Sequence, residues 1–435
     1  ATHPVAGSAP GHATHRLQPA RRASQPIMVS PHLQESSVTL PAWLRPWWSF
    51  FKRLHRVLTR CAGILGRAIS RPLGSRGVPI AATERAIDTA RREPDAVTIH
   101  HGAPAQELAR RATPGDPARH PVFDQQHTTN VPATFTLEIR DGRLTGDYGA
   151  TSTPGKILDH ETSTYFGVTD WREHPLYLRP TLGHVEKIDG TAVSLTTRGC
   201  AINYYHFLYD SIARLGVLES TGPDVDIDAY VVPHAARYQQ QLLELAGIRG
   251  TLVQPRRGLT VVADRLLVPS NPNWALQAPP DSVAWLRDRL RPSRAAGPPR
   301  RLYLTRGTVP NTRRYCQEDE LWPELERRGF ARVDPGTLTV QEQIDTFADA
   351  EVIVAPHGAG LTNVTFSPPD VRVLEMFAST YVHLGLWAIC EALGAQYRYL
   401  VADGPLGANS GPHDDVSIPA QRVLAVVDEM LETKP

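Results

Sequence analysis

Apolar positions along the chain fall into three regimes. Up to about residue 40 they are sparse and aperiodic among Ala, Pro, Ser, His and Arg, which predicts a disordered segment over 1–40. Trp47, Phe51, Leu54, Leu58, Cys61, Leu65 and Ala68 then recur at alternating steps of four and three, an apolar stripe on a helix within 41–70. From about 77 to 190 the pattern is one of short strands and turns. There Phe135, Leu137 and Ile139 alternate with polar residues ahead of Asp141 and Gly142, a hairpin signal. Beyond 190, strand and helix signals take turns: strands at 192–195 and 229–232, a helix at 238–246 closed by Gly247, and a helix at 281–290. The Pro/Gly-rich run 295–299 reads as a connection between domains.

A second alternating stretch follows. Strands are expected at 302–304, 352–355, 372–375 and 397–401, with helices at 318–328, 340–348, 387–393 and 419–432. Such alternation implies a parallel sheet covered by helices on both faces. The reading is therefore α/β: a disordered 1–40, an amphipathic basic helix at 41–70, and an N-terminal, acceptor-side domain over 77–295 that is β-rich and then Rossmann-like. A C-terminal Rossmann-like, nucleotide-sugar-binding domain covers 299–402, and a loop and helix close the chain at 403–435. At 435 residues the chain is too long for one typical core, in keeping with two domains.

Charge and cysteines narrow the classes. With 46 basic and 45 acidic residues the net charge is +1, so no global attraction to nucleic acid is expected. Cys61, Cys200, Cys316 and Cys390 are scattered without a CxxC pair, which suggests neither a zinc site nor a disulfide framework and favours a reducing compartment. No apolar signal stretch is visible in the first 40 residues. Around the stripe at 41–70 lie Arg45, Lys52, Arg53, Arg56, Arg60 and Arg67, with no acidic residue between Glu35 and Glu84. That helix reads either as a membrane-surface anchor or as one docked on the core; it is too charged to span a bilayer.

Three constellations carry candidate chemistry. The first is the strand at 352–355 running into His357, Gly358, Ala359, Gly360 and, further on, Asn363. A strand that ends in glycines at a helix start presents free N–H groups to an anion, and glycine admits a close ligand; an ordinary βα turn is the alternative. The second is Asn203, His206, Asp210 and Arg214, at i, i+3, i+7 and i+11 on one helical stripe. So polar a stripe should line a cleft rather than a core, with a histidine one turn from a carboxylate as a general base and its partner. The third is Thr305, Arg306 and Gly307, then Asn311, Arg313 and Arg314, a guanidinium cluster at the carboxyl end of a strand, suited to phosphate oxygens. Glu375 ends the next strand, where a carboxylate fits ribose hydroxyls. Asp224 and Asp226 mimic the DxD of metal-dependent sugar transferases but sit in a turn, and read as an accidental acidic pair.

Together these segments resemble glycosyltransferase family 61, whose members have the GT-B fold of two Rossmann-like domains facing a cleft. The resemblance rests on Leu304, Thr305 and Arg306, Arg313 and Arg314, Glu318, Gly329 and Phe330, Gln343 and Ile344, Ala350, the run from Gly358 to Asn363, Phe366 and Glu375. Asn203, His206, Asp210, Arg214 and Leu215 match the family's N-terminal helix, and Gln317 stands where the family usually has Asn. It covers roughly 130–400 and implies a bacterial-type enzyme acting on surface polysaccharide or glycolipid precursors in the cytoplasm. The implied reaction is inverting transfer of a sugar from a nucleotide-sugar donor to a hydroxyl, with no bound metal and no cofactor. Donor contacts would come from Arg306, Asn311, Arg313, Arg314, Gln343, His357, Gly358, Ala359, Gly360, Asn363 and Glu375. Asn203 and Arg214 would bind substrate. Asp210 is favoured as the base with His206 positioning, and the reverse order stays open. A sugar-nucleotide epimerase or a non-catalytic binding protein of the same fold is the alternative. A lipase-type hydrolase is disfavoured because the chain has no G-x-S-x-G elbow.

Overall fold

Val352 and Val354 point into one apolar cluster while Ile353 and Ala355 point into another. This is what a strand covered on both faces requires, and the strand Ala350–Pro356 lies mid-sheet accordingly. The computed structural model describes residues 47–435 except 111–114, 117–119, 125–126, 166–167, 296, 299, 308–311, 405–412 and 433–435. The disordered segment expected over 1–40 therefore lies outside the described residues. The described residues belong to one compact unit.

Two large sheets organise it. The C-terminal sheet has six parallel strands in the order Phe330–Val333, Arg300–Leu304, Ala350–Pro356, Arg372–Phe377, Gln396–Val401, Gly115–Asp116. The helices Glu318–Arg327 and Ala420–Glu432 cover one face, and Val340–Ala348 and Gly385–Leu393 the other. Every expected element of this half is present, within a few residues of its expected ends.

The N-terminal sheet has nine strands, built on three long ones, Phe135–Thr145, Leu259–Pro269 and His184–Ser194. Leu259–Pro269 runs antiparallel to Phe135–Thr145 and parallel to His184–Ser194, which continues parallel into Ala229–Val231 and Thr251–Val253. The β-rich and strand–helix segments thus share one mixed sheet. The hairpin expected at Asp141 and Gly142 is not there. Asp141 takes φ 50° inside the strand, and a Cβ on Gly142 would meet the Leu266 Cβ at 2.6 Å on the neighbouring strand. The chain turns instead at 146–149, where Gly146 and Gly149 have φ 78° and 71°.

A single apolar cluster joins the two halves, with Phe207, Leu208 and Ile212 in the same packing as Leu361, Val364 and Trp387. Polar ties cross the same boundary: the Tyr204 hydroxyl donates to Asn363 Oδ1 (2.9 Å), Tyr209 and Thr365 share a hydroxyl contact (2.6 Å), and Arg287 Nη1 donates to the Thr365 and Ser367 carbonyls (2.6 Å each). Arg110, whose side chain is buried, pairs with Glu391 (2.6 Å) and lies over the Trp387 ring.

Candidate active site

The expected helical stripe at 203–214 is broken by its own backbone. Tyr204–Phe207 is α-helical, Leu208–Ile212 makes a π turn closed by Ala213 N–H to the Leu208 carbonyl (2.9 Å), and Arg214–Thr221 is α-helical again. One extra residue in the turn re-aims everything after it. Asn203 caps the first segment by accepting from the His206 N–H (3.3 Å). His206 Nδ1 meets Asp210 Oδ2 at 2.7 Å, and the other Asp210 oxygen accepts from Asn273 Nδ2 at 2.6 Å. Asn273 in turn accepts from the Tyr205 hydroxyl (3.0 Å). Gly199 lies against the imidazole, where a Cβ would come within 2.5 Å of the ring. Asp210 is only 4% exposed, and both its oxygens are engaged behind the histidine. Arg214, past the π turn, does not reach this site: it is buried and donates through Nε to the Pro269 carbonyl (2.8 Å), and burial lowers its pKa to about 10. In this position it braces the end of the strand Leu259–Pro269.

Asn203 and His206 line a cavity of about 90 Å³ whose other wall comes from the C-terminal sheet: Arg313, His357, Gly358, Ala359, Glu375, Tyr381 and His383. These side chains sit at the carboxyl ends of parallel strands, where backbone polar groups and loops are open to a ligand. A second cavity of about 220 Å³ adjoins, lined by Thr305, Arg306, Asp334, Gly358 and Gly360. Gly358 lines both. Its backbone is extended, so glycine is needed there for space: a Cβ would overlap the Arg306 guanidinium. Arg306 is held by Nε donation to the Thr312 carbonyl, and burial and the nearby Arg313 lower its pKa to about 10, still charged at neutral pH. Arg313 takes φ 64°, lies 5.3 Å from the centre of the Tyr381 ring and has no hydrogen-bond partner for its buried Nε. Two strongly desolvated guanidiniums this close, with a donor unsatisfied, fit an anion.

Behind them, His357 Nδ1 meets Glu375 Oε1 at 2.5 Å, and the Tyr397 hydroxyl donates to Glu375 Oε2 at 2.6 Å. Burial pushes Glu375 up to about 7, opposed by the Tyr397 hydrogen bond and by His383 and Arg313. Burial, Arg313 and Arg306 push His357 well below the ordinary imidazole range. His383 stands edge-on to His357 at 4.5 Å between centroids and is lowered to about 3 by burial and by His357.

Other expected donor residues take supporting places. Asn363 Nδ2 donates to Gln343 Oε1 (2.7 Å) and to the Gly360 carbonyl (3.1 Å), so Asn363 and Gln343 fix the turn Ala359–Phe366 from inside. Arg314 is paired with Asp415 (3.0 Å) and lines neither cavity. Glu375, in the wall of the first cavity, has one oxygen on His357 and the other on Tyr397. Asn311 lies outside the described residues. Glu318 is buried and accepts from Tyr303 (3.0 Å) and Thr305 (2.8 Å), anchoring the arginine strand. Asp224 and Asp226 are exposed in the turn before Ala229–Val231 and line neither cavity. Among the described residues no group of three His, Cys, Asp or Glu is arranged to hold a metal ion. Asn273, Tyr381 and His383 were not anticipated. Their one signal is position: each follows a strand of its sheet by a few residues, at the open end.

Arg313 and Gly358 thus face His206 across one cavity, with Asp210 behind the histidine and Arg306 in the adjoining cavity. Residues 204–374 match the family model Glycosyltransferase 61, a stretch from the short helix bearing His206 to the residue before Glu375. The chain is also 39% identical over 44 residues to the Beta-1,2-xylosyltransferase RCN11 of Oryza sativa subsp. japonica, a stretch covering 10% of this chain and 8% of that protein.

Proposed function

We propose that this protein is an inverting, metal-independent glycosyltransferase that moves a sugar from a nucleoside-diphosphate donor to a hydroxyl of a glycan or glycolipid, in the synthesis of a bacterial surface polysaccharide. The observation that carries the reading is the opposition, across one cavity, of the His206–Asp210 pair and the Arg313–Gly358 wall. The two sheets then serve as the acceptor-side and donor-side domains of a GT-B arrangement. The rice relative's name favours a pentosyl group over a hexosyl one.

In this scheme the donor diphosphate lies along Arg306, Arg313 and the N–H groups of the turn after Gly358, which take up the negative charge that develops as the glycosidic bond to phosphate breaks. Fixed guanidiniums and amides replace a divalent cation, so no metal and no cofactor is required. The acceptor oxygen attacks the anomeric carbon from the opposite side and gives its proton to His206. Asp210, seated behind the imidazole and pinned by Asn273, fixes the tautomer and balances the imidazolium. This order, histidine as base and aspartate as orienting group, reverses the preference drawn from the sequence, because the carboxylate oxygens are already engaged.

Turnover assays with a panel of nucleotide sugars, with and without acceptor, test the class; product formed without acceptor would make it an epimerase. His206→Gln should lower the rate by ~10²–10⁴-fold with donor affinity little changed. Activity should survive excess EDTA. Loss on chelation, restored by Mn²⁺, would return Asp224 and Asp226 to consideration.

A further inference from the structure

The helix Trp48–Ile69 is docked the wrong way round for a soluble surface helix, which normally buries its apolar stripe. Its buried positions are small: Thr59, Gly63, Gly66 and Ser70, spaced along one side. Gly63 and Gly66 lie so close to Tyr177, Pro180 and Val78 that an added Cβ would stand 3.1–3.2 Å from them. On a helix of 3.6 residues per turn the opposite side carries Leu54, Leu58 and Leu65, which are 42%, 54% and 60% exposed. The stripe continues through Trp47 and Phe51 over a helix of 22 residues, about 33 Å long at 1.5 Å per residue.

Charge indicates what covers this face. The helix carries basic residues and no acidic one. Arg56 and Arg60 are matched by Glu173 (3.5 and 2.9 Å), and Arg60 also by Asp170 (2.9 Å). Further positive charge stands beside it. His55, on the edge between the docked and the apolar sides, lines a cavity of about 240 Å³ together with Arg179, Arg198, Arg257, Tyr148 and Tyr165. Arg198 is held there by donation to the Tyr165 hydroxyl (2.9 Å), and only Asp147, 3.4 Å from Arg257, opposes the arginines from the lining. Leu178, 42% exposed, continues the apolar surface at the rim. A long apolar stripe with an aromatic at its start, basic flanks and an adjacent arginine cavity matches an anionic lipid surface: acyl chains against the leucines, a headgroup phosphate in the cavity. A protein groove would instead be expected to answer the helix with acidic side chains.

We propose that this face binds anionic phospholipid membrane as a surface, with the helix lying in the interface. The inference is independent of the transfer reaction. Among the described residues no helix is long and apolar enough to cross a membrane, so the contact is peripheral. The test is sedimentation of the full chain with phosphatidylcholine vesicles, with and without phosphatidylglycerol. The wild type should pellet with the anionic vesicles, and Leu58→Glu or Leu65→Glu should reduce bound protein by at least ~10-fold with unchanged thermal melting, since both side chains are exposed. Arg198→Ala combined with Arg257→Ala should abolish the preference for phosphatidylglycerol. Failure of the wild type to pellet, or equal pelleting of both glutamate variants, overturns the proposal. So does a concentration-dependent dimer that Leu58→Glu dissociates, which would mean that a second copy covers the face. Retention of the phosphatidylglycerol preference in the double arginine variant removes the headgroup role of the cavity.

Discussion

Asn273 is the residue on which the order of the His206–Asp210 pair depends. Its amide occupies one Asp210 oxygen, leaving the other to His206. Asn273→Ala strands a buried carboxylate oxygen, so we expect a loss of ~1–3 kcal/mol in denaturant stability and a fall in turnover, with donor affinity preserved. Calorimetry and initial rates on the same sample separate the two. The buried histidines set a pH dependence of stability. His383 is held to about 3 in the folded protein against 6.5 ordinarily. Between those values the unfolded chain binds a proton that the native one refuses, so stability is present above 6.5 and is lost as pH falls. His357 acts in the same sense. Glu375 acts oppositely, because its pKa is raised: its contribution is present below 4.5 and lost as pH rises through about 7. His120, His174 and His413 are likewise lowered by burial, against the raised Asp159 and Glu161, so the histidines outnumber the carboxyls and melting temperature should fall on acidification below about 6.5. In His383→Gln that fall should be shallower; an identical pH profile would exclude the residue.

At the scale of elements, the turn after Ala350–Pro356 depends on Gly358. Gly358→Ala places a methyl group where the Arg306 guanidinium packs, so either the arginine or the turn must move. Affinity for a nucleoside diphosphate should drop about as far as in Arg306→Ala, by ~1.5–3 kcal/mol, the usual worth of a charged hydrogen bond. Equal affinity for UDP, GDP and CDP in both variants would remove the phosphate role. This strand and turn were legible in the sequence because a doubly covered strand is apolar throughout and glycines mark the close approach. The same logic located the helix Val340–Ala348 and its neighbours. It failed at Asp141 and Gly142, where a pair typical of hairpins serves a close strand-to-strand contact. It failed again beyond Asp210: the helical wheel assumes one twist, and the π turn inserts another, which turned Arg214 from the cleft to the core. Which arginine stays available was also illegible, since Asp415, which neutralises Arg314, lies about a hundred residues away in sequence.

On the scale of the molecule, the continuous apolar cluster between the sheets argues for one cooperative unit. Intrinsic tryptophan fluorescence and far-ultraviolet circular dichroism should report coincident unfolding midpoints. Arg110→Ala removes a buried charge from Glu391 and from the face of Trp387, and should cost about 3–5 kcal/mol while shifting both midpoints together. Separate transitions would mean that the halves fold independently.

The Tyr204–Asn363 bond has a further consequence for how the molecule works in time. Tyr204 is two residues from the histidine, and Asn363 holds the glycine turn from within. This hydrogen bond therefore links the short helix bearing His206 directly to the turn after Gly358. Parting the sheets must break it together with the Tyr209–Thr365 contact and the Arg287 bonds, while the Asn363 amide still holds the turn through Gln343 and the Gly360 carbonyl. In the scheme proposed above, a tyrosine hydroxyl then ties the element bearing the base to the turn that takes the leaving group, so a Tyr204→Phe variant should lower turnover while leaving His206 and Arg313 in place.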